Sequence, residues 1–220
     1  MSSTVKDRVS GVHRKRASRL DPAMRREKLV ASAMRVFGRK GVASARHSDV
    51  AEGAHVSLST VFAYFPTRKA LLKAVLDELS RWALNLAKQV HRKDKTPRQS
   101  FYEHLVRLAD LLEGDPDYAR VWLSWSMVFE KELSRSYMKL QRRVVRIIAD
   151  TARRGQRDGT VARELNPEDI GLAILGGAYV IAQTKLAGRK RSQLERFARM
   201  VVDATAPRGA HARIQTKERG

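Results

Sequence analysis

Apolar residues recur every three or four positions along most of this chain. A long example is the series Leu72, Val75, Leu76, Leu79, Ala83, Leu86 and Val90, and shorter ones lie within residues 101–112 and 140–148. This spacing places apolar side chains on one face of an α-helix, and no segment alternates as a half-buried strand would. The sequence therefore predicts an all-α fold.

Capping residues, prolines and glycines divide this pattern into separate helices. Asp21-Pro22 predicts the start of the first helix, and Gly41 predicts its end. A short second helix follows over residues 46–54, and a third is capped by Ser57 and ends before Pro66. The first 66 residues are thus expected to form three short helices.

Similar signals predict the boundaries of the later helices. Thr67 caps a long fourth helix, and Asp115-Pro116 and Asn166-Pro167 each begin another. Ser192 and Glu195 have the spacing of a capping box, which predicts that they form the start of the final helix.

The net charge of the chain limits its partners. Its 220 residues include 44 Lys and Arg against 23 Asp and Glu, which gives a formal net charge of +21. Such an excess favours a polyanionic partner, with nucleic acid first and an anionic membrane surface as the alternative. A membrane binder would concentrate its charges on one helix face, whereas these are spread over the chain, so we expect no membrane partner.

Several other classes of protein do not fit. The absence of cysteine excludes disulfides, thiolate metal sites and cysteine nucleophiles. The chain has neither the apolar run of a spanning helix nor the apolar centre of a secretory signal, so we expect a cytoplasmic protein. It also has no glycine-rich phosphate loop, paired metal ligands or nucleophile elbow. We therefore expect no catalysis, no cofactor and no metal.

The three N-terminal helices fit the plan of a helix-turn-helix DNA-binding domain. Small residues at Ala51 and Ala54 allow the second helix to pack closely against Val61 of the third. In this plan the third helix, residues 57–65, lies in the major groove and presents small or polar side chains to the bases. The candidates for DNA contact here are Ser57, Leu58, Ser59, Thr60, Phe62, Ala63 and Tyr64.

The junction between the third and fourth helices fits a grip on the DNA backbone. Thr60 and Tyr64 are one helical turn apart, so their hydroxyl groups are placed to bind successive phosphates. Pro66 stops the third helix, and the fourth begins with Arg68 and Lys69. Their charges and the free backbone N–H groups of that first turn would face the same DNA strand.

Each of these assignments has a simpler alternative. Aromatic residues at helical spacing usually belong to the core, which we expect for Phe65, and Phe62 is either core or part of the DNA-facing surface. Arg68 and Lys69 are alternatively solvated surface charges.

The run AEGAHVSLSTVFAYFPTRKALL resembles the signature of TetR-family transcriptional regulators, over about residues 20–76. In that family a three-helix DNA-binding head precedes a helical domain for ligand binding and dimerisation. The segments RHSDVAE, TVFAYFP and YARVWLSWS are similar to the HapR-like branch of quorum-sensing master regulators, and a weaker similarity continues through NPEDIGLAILGGAYVIAQ to about residue 204. The resemblance implies a homodimer that binds palindromic double-stranded DNA, with a small-molecule effector and a role in quorum sensing.

The resemblance also implies roles for individual residues. Thr60, Tyr64 and Arg68 match phosphate-binding positions, and Leu58, Ser59 and Ala63 match positions that approach base edges. Ala63 stands where the HapR-like branch has an asparagine used in base recognition, so we expect a different operator. Arg46 and His47 replace the threonine-rich start of the second helix found in many TetR relatives, although His47 agrees with the narrower branch. We infer a phosphate contact for Arg46 from its charge and location.

A basic arm precedes the first helix. Arg14, Arg16 and Arg19 are its main candidates for DNA contact, with Lys15 beside them. In the HapR-like branch a similar arm reaches the minor groove, where narrow A/T-rich DNA concentrates negative potential. The alternative is a disordered tail that attracts DNA without sequence preference.

The last two helices carry enough apolar surface to pair with a second subunit, and the resemblance implies a four-helix interface between two protomers. The alternative is that the same residues form core within one protomer. The candidates are Ile170, Ala173, Ile174, Gly177, Ile181, Leu194, Phe197 and Val201.

A cluster of large apolar residues is a candidate for a ligand cavity, with ordinary core packing as the alternative. Its members are Trp122, Trp125, Met127 and Phe129. The predicted organisation is a flexible basic arm (residues 1–20), a helix-turn-helix domain (21–66), a helical regulatory and dimerisation domain (67–206) and a basic tail (207–220).

Overall fold

The computed structural model describes residues 21–127 and 130–207, which form nine α-helices and no strand. The predicted all-α fold is confirmed for this part of the chain. The basic arm with Arg14, Lys15, Arg16 and Arg19 lies outside the described residues, as do residues 208–220 of the tail. The helices are Pro22–Lys40 (α1), His47–Ala54 (α2), Leu58–Tyr64 (α3), Arg68–Val90 (α4), Pro97–Gly114 (α5), Pro116–Ser126 (α6), Lys131–Asp158 (α7), Pro167–Leu186 (α8) and Arg191–Asp203 (α9).

Most predicted helix ends are confirmed, because they depend on local hydrogen bonds. The side chain of Ser57 accepts a bond from the backbone of Thr60 at 3.2 Å, and Thr67 does the same for Ala70 at 3.1 Å. Gly41 ends α1 with a φ of 81°, a backbone conformation that glycine adopts without strain.

Two boundaries differ from the prediction. The capping box at Ser192 and Glu195 is wrong, because α9 already begins at Arg191 and the side chain of Gln193 accepts a bond from the Lys190 backbone at 3.1 Å. The helix that carries Trp122 and Trp125, α6, ends at Ser126, so Met127 of the same apolar cluster lies beyond it.

Helices α1 to α3 form a small head, and α4 joins it to a larger helical body. The head packs around Phe37, Val50 and Val61, which are buried. A second connection runs through α1 and α6, where Gly38 approaches Asp117 so closely that a Cβ atom at position 38 would lie 2.8 Å from the Asp117 side chain. The orientation of the head is therefore fixed at two places.

The predicted dimer contacts are mostly core of one protomer, which corrects the sequence interpretation. Ala173 alone is exposed, and Phe197 and Val201 are partly buried. Because α8 is apolar on nearly all sides, its periodicity does not identify the face that packs inward. The residues buried within the protomer are Ile170, Ile174, Gly177, Ile181 and Leu194.

A different apolar surface of α8 and α9 faces solvent. Leu172 and Val180 of α8 and Met200 of α9 are exposed, and Gly176 has open space beside it. Across residues 21–127 and 130–207, none of the helices combines the length and the apolar character needed to cross a membrane.

Candidate nucleic-acid interface

The third helix packs one side into the head and leaves the other side open. Val61 is fully buried, whereas Ser59 and Ala63 are exposed and Leu58 and Phe62 are each 44% exposed. No residue of α3 is charged. Its open face therefore offers hydroxyl, methyl and aromatic groups rather than cations.

The hydroxyl groups at the start of α3 form a local network. Besides capping the helix, Ser57 Oγ lies 2.9 Å from Ser59 Oγ and 2.8 Å from Thr60 Oγ1. Ser57 is thus committed to the cap in the free protein, and its direct contact with DNA stays a prediction. Tyr64 is partly buried against the head core.

His47 packs beneath α3, between this helix and the head core. The prediction that His47 lies on the DNA-facing surface is therefore corrected. His47 is 8% exposed, and its Nε2 donates a hydrogen bond of 2.8 Å to the backbone oxygen of Phe65. Its ring also stacks on Phe62, with ring centroids 4.4 Å apart and an interplanar angle of 10°. The core alternative for Phe62 is wrong, because this ring rests on His47 with its outer side in solvent. Phe65 is buried as predicted.

Arg68 braces the loop between α1 and α2, a role that the sequence did not predict. Its Nε donates to the Ala45 oxygen at 3.2 Å, and its Nη2 donates to the oxygens of Ala43 at 2.9 Å and of Val42. The predicted contact of Arg68 with a phosphate stays a prediction, because Arg68 is exposed and these bonds use only Nε and Nη2. The remaining nitrogen of the Arg68 guanidinium group, Nη1, has no hydrogen-bond acceptor among the described residues.

The other predicted cations lie on the surface of the head and at the start of α4. Arg46 is exposed at the start of α2, beside Asp49. Lys69 forms an exposed ion pair of 2.6 Å with Glu132 of α7, and the hydrogen bond and charge of that carboxylate raise the pKa of Lys69. Such exposed pairs contribute little stability, so a phosphate can replace Glu132 at low cost.

The body contains a small apolar cavity of about 40 Å³ between α4, α5, α6, α7 and α8. Of the predicted lining residues that the structure describes, which are Trp122, Trp125 and Met127, only Trp122 reaches it. Trp125 is buried elsewhere and donates from Nε1 to the Leu133 oxygen at 2.9 Å, and Met127 is exposed. Phe129 lies outside the described residues. The predicted lining of this cavity is therefore corrected for Trp125, which borders an open groove between α4 and α7 instead, and for Met127, which lies beyond the end of α6.

A chain of buried hydrogen bonds borders this cavity. The Thr151 hydroxyl donates to the Ile147 oxygen at 3.4 Å, so it accepts from His91 Nδ1 at 3.0 Å. His91 Nε2 then accepts from His104 Nδ1 at 3.1 Å. This direction leaves His104 Nε2 as a free acceptor in the described structure, and His104 lines the cavity. The described residues contain no cluster of side chains suited to a metal ion.

Burial keeps both histidines neutral. It lowers the pKa of His91 to about 2, with further contributions from the charges of His104, Arg154 and Lys95, and it lowers the pKa of His104 to about 4.

The first prediction concerns the pH dependence of stability. Below the ordinary histidine pKa of 6.5 the unfolded chain binds protons that the folded chain does not, so the free energy of unfolding falls as the pH drops. We expect a loss of about 2 kcal/mol per histidine between pH 7 and pH 5, measured by urea unfolding. His104→Gln should weaken this dependence, whereas His55→Asn, at an exposed site, should not. Equal slopes for His104→Gln and the wild type would contradict the assignment.

The second prediction separates the structural role of Arg68 from phosphate binding. Arg68→Ala leaves three backbone oxygens without their donors, and we expect the free protein to lose about 1–3 kcal/mol of unfolding free energy. The matched change Lys73→Ala breaks only an exposed ion pair with Asp77, so its effect should stay below about 0.5 kcal/mol. Thermal and urea unfolding without DNA provide the measurement. Wild-type stability of Arg68→Ala would show that the brace contributes nothing.

Comparisons with known proteins agree with this architecture. Residues 29–75, from α1 into α4, match the family model described as bacterial regulatory proteins of the tetR family. The chain is 27% identical to the HTH-type transcriptional regulator LuxR of Vibrio harveyi over 187 residues. This alignment covers 85% of this chain and 90% of that relative.

Solved structures show the same fold over most of the chain. A putative TetR-family transcriptional regulator from Rhodococcus sp. has a TM-score of 0.70 at 20% identity, covering 84% of this chain and 99% of the other. FadR from Bacillus subtilis, in complex with stearoyl-CoA, has a TM-score of 0.70 at 17% identity, covering 82% and 97%. CifR, solved with 26-bp double-strand operator DNA, has a TM-score of 0.64 at 17% identity, covering 81% and 96%. Residues 29–75 therefore match the tetR family of bacterial regulatory proteins, and most of the chain has the fold of solved TetR-family transcriptional regulators.

Proposed function

We propose that this protein is a cytoplasmic, sequence-specific DNA-binding transcriptional regulator that binds palindromic operators as a homodimer. The observation that carries the proposal is the exposed, uncharged face of α3, held on a buried core and bordered by Arg46 and Lys69. Such a face suits base edges, and the cations beside it suit phosphates. The CifR structure with operator DNA and the similarity to LuxR support the same assignment.

The exposed apolar surface of α8 and α9 is the proposed dimer interface. Leu172, Val180 and Met200 would be buried between protomers, and the open space at Gly176 allows close helix approach. A two-fold axis through this surface would place the two α3 helices in successive major grooves, about 34 Å apart. This surface replaces the predicted contacts at Ile170, Ile174, Gly177, Ile181 and Leu194.

The cavity beside His104 is the proposed effector site. At about 40 Å³ it is far smaller than the roughly 300–1,000 Å³ typical of drug-sized ligands, so it suits only a small apolar molecule unless the helices move apart. The neutral His104 favours an uncharged ligand that donates a hydrogen bond to Nε2. A role in quorum sensing, implied by the resemblance to the HapR-like branch, stays a prediction.

The third prediction tests the proposed function as a whole. Purified protein is used to select duplexes from random DNA, and we expect a palindromic consensus with half-sites about 10–11 base pairs apart. Arg46→Gln should weaken binding to every selected sequence by a similar factor and lower the salt slope by about 1.8, because the homodimer loses one phosphate contact in each protomer. Selection of no preferred sequence would contradict specific regulation and favour a non-specific basic nucleic-acid binder.

The apolar part of the α3 face predicts how bases are read. Leu58 and Phe62 cannot form hydrogen bonds to base edges through their side chains, but they can contact the 5-methyl group of thymine. Phe62 is held in place by the stack on His47. We therefore expect thymines at fixed positions within each half-site.

The fourth prediction isolates that contact. Replacing these thymines by deoxyuridine removes only the methyl group, and each buried methyl is worth about 0.8 kcal/mol, or about fourfold in affinity. Phe62→Ala should abolish the difference between thymine and deoxyuridine at one position, whereas Phe62→Leu should retain part of it. Fluorescence anisotropy titrations provide the measurement. Identical affinities of the wild type for both duplexes would refute methyl reading while leaving specific binding intact.

A further inference from the structure

Helix α7 has an unusual share of the positive charge. Its 28 residues carry nine Lys and Arg against three Asp and Glu, a net charge of +6. The head, residues 21–66, carries seven basic against four acidic side chains, a net charge of +3. Helix α7 alone therefore carries more net positive charge than the whole helix-turn-helix head.

Six of these cations form one surface, which we call the α7 basic stripe. At helical spacing they fall within an arc of about 100° over a length of about 33 Å. All six are exposed, and none forms an ion pair with the described residues. Arg153 lies on the same side but is paired with Asp150 and Glu168. The stripe consists of Arg135, Lys139, Arg142, Arg143, Arg146 and Arg157.

The stripe begins near the DNA-facing end of the molecule. An open groove of about 420 Å³ separates α4 from α7, and Lys139 and Arg143 line it opposite Lys69 and Lys73. The two lysines of α4 are paired with carboxylates, whereas Lys139 and Arg143 are not. The proposed DNA surface at Lys69 thus continues into the stripe across a single groove.

The composition of the stripe favours duplex DNA over other polyanions. Five of its six cations are arginines, which bind phosphate through two parallel hydrogen bonds. It contains no aromatic side chain on which single-stranded bases could stack. The apolar face of α7 is buried in the body, so the helix has no apolar face to insert into a membrane. A protein partner would require an apolar or aromatic centre, which the six cations do not supply.

We propose that the α7 basic stripe binds the phosphates of the DNA that flanks the operator, so that the flanking duplex bends towards α7. This inference rests on the proposed function, because it requires a complex on an operator. Bending of a flank is favourable where the added phosphate contacts exceed the elastic cost of the bend. The stripe increases affinity without reading sequence.

The fifth prediction compares short and long duplexes. The selected palindrome is prepared as a duplex of about 24 base pairs and as one of about 60 base pairs with random flanks. The wild type is expected to bind the long duplex at least about tenfold more tightly and with a steeper salt slope. The combined variant Lys139→Gln, Arg142→Gln and Arg146→Gln should lose this gain and lower the slope on the long duplex by up to about five units, because the homodimer loses six cations that each contribute about 0.9.

A charge-matched control separates the stripe from net charge. Lys93→Gln, Arg107→Gln and Arg189→Gln remove the same charge at exposed sites without an ion pair in the described structure. This variant should keep most of the increase in affinity that the flanking DNA of the long duplex provides. Circular-permutation gel shifts, with the operator at different positions along a long duplex, should show a bend with the wild type and not with the stripe variant.

The possible outcomes are distinct. If the wild type and the stripe variant gained the same affinity from the flanking DNA, the inference would be overturned. The stripe would then be either a binding site for an acidic protein or a solvated surface. If the stripe variant and the charge-matched control lost the same affinity for the long duplex, the inference would also be overturned, because net charge alone would explain the effect. Failure of the wild type to bind the short duplex would count against the proposed function itself.

Discussion

The direction in which α3 faces depends on how its C-terminal end is held. His47 donates a hydrogen bond to the Phe65 oxygen and stacks on Phe62, while Val61 and Phe65 are buried beneath the helix. A helix of seven residues is too short to be stable by itself, so these contacts set both its existence and its orientation. The exposed positions of α3 follow from that anchorage.

The cations around α3 already form hydrogen bonds and an ion pair within the protein when DNA is not bound. Arg68 holds the loop between α1 and α2, and Lys69 is paired with Glu132 of α7. DNA binding would therefore exchange some internal contacts for contacts with phosphate. Binding of a phosphate by Lys69 of α4 would also release Glu132, so DNA binding would change a contact of α7. The close approach of Gly38 to the Asp117 side chain provides a second connection between head and body.

Local chemistry made most of the helix boundaries predictable. The caps at Ser57 and Thr67 and the ending at Gly41 depend on residues a few positions apart, so the sequence shows them directly. The roles of His47 and Arg68 were not predictable in this way. Their acceptors lie 18 and more than 20 residues away, and no sequence pattern marks which carbonyl oxygens a side chain will reach.

The same limit applies to the surfaces of the body. On α8, where nearly every position is apolar, Ile174 packs inward and Leu172 faces solvent, and the sequence contains no signal that separates them. Met127 looked like a lining residue by its proximity to Trp122, yet α6 ends beside it and leaves it exposed.

The sequence by itself determined the all-helical class, the three-helix head and the boundaries of the helix proposed to contact DNA, because apolar periodicity and capping act between neighbours in the chain. Only the tertiary structure decided which face of each apolar helix is core, which cations are free and where the buried histidines meet. Those properties arise from contacts between distant segments, whose burial and hydrogen bonds are fixed when the helices pack together.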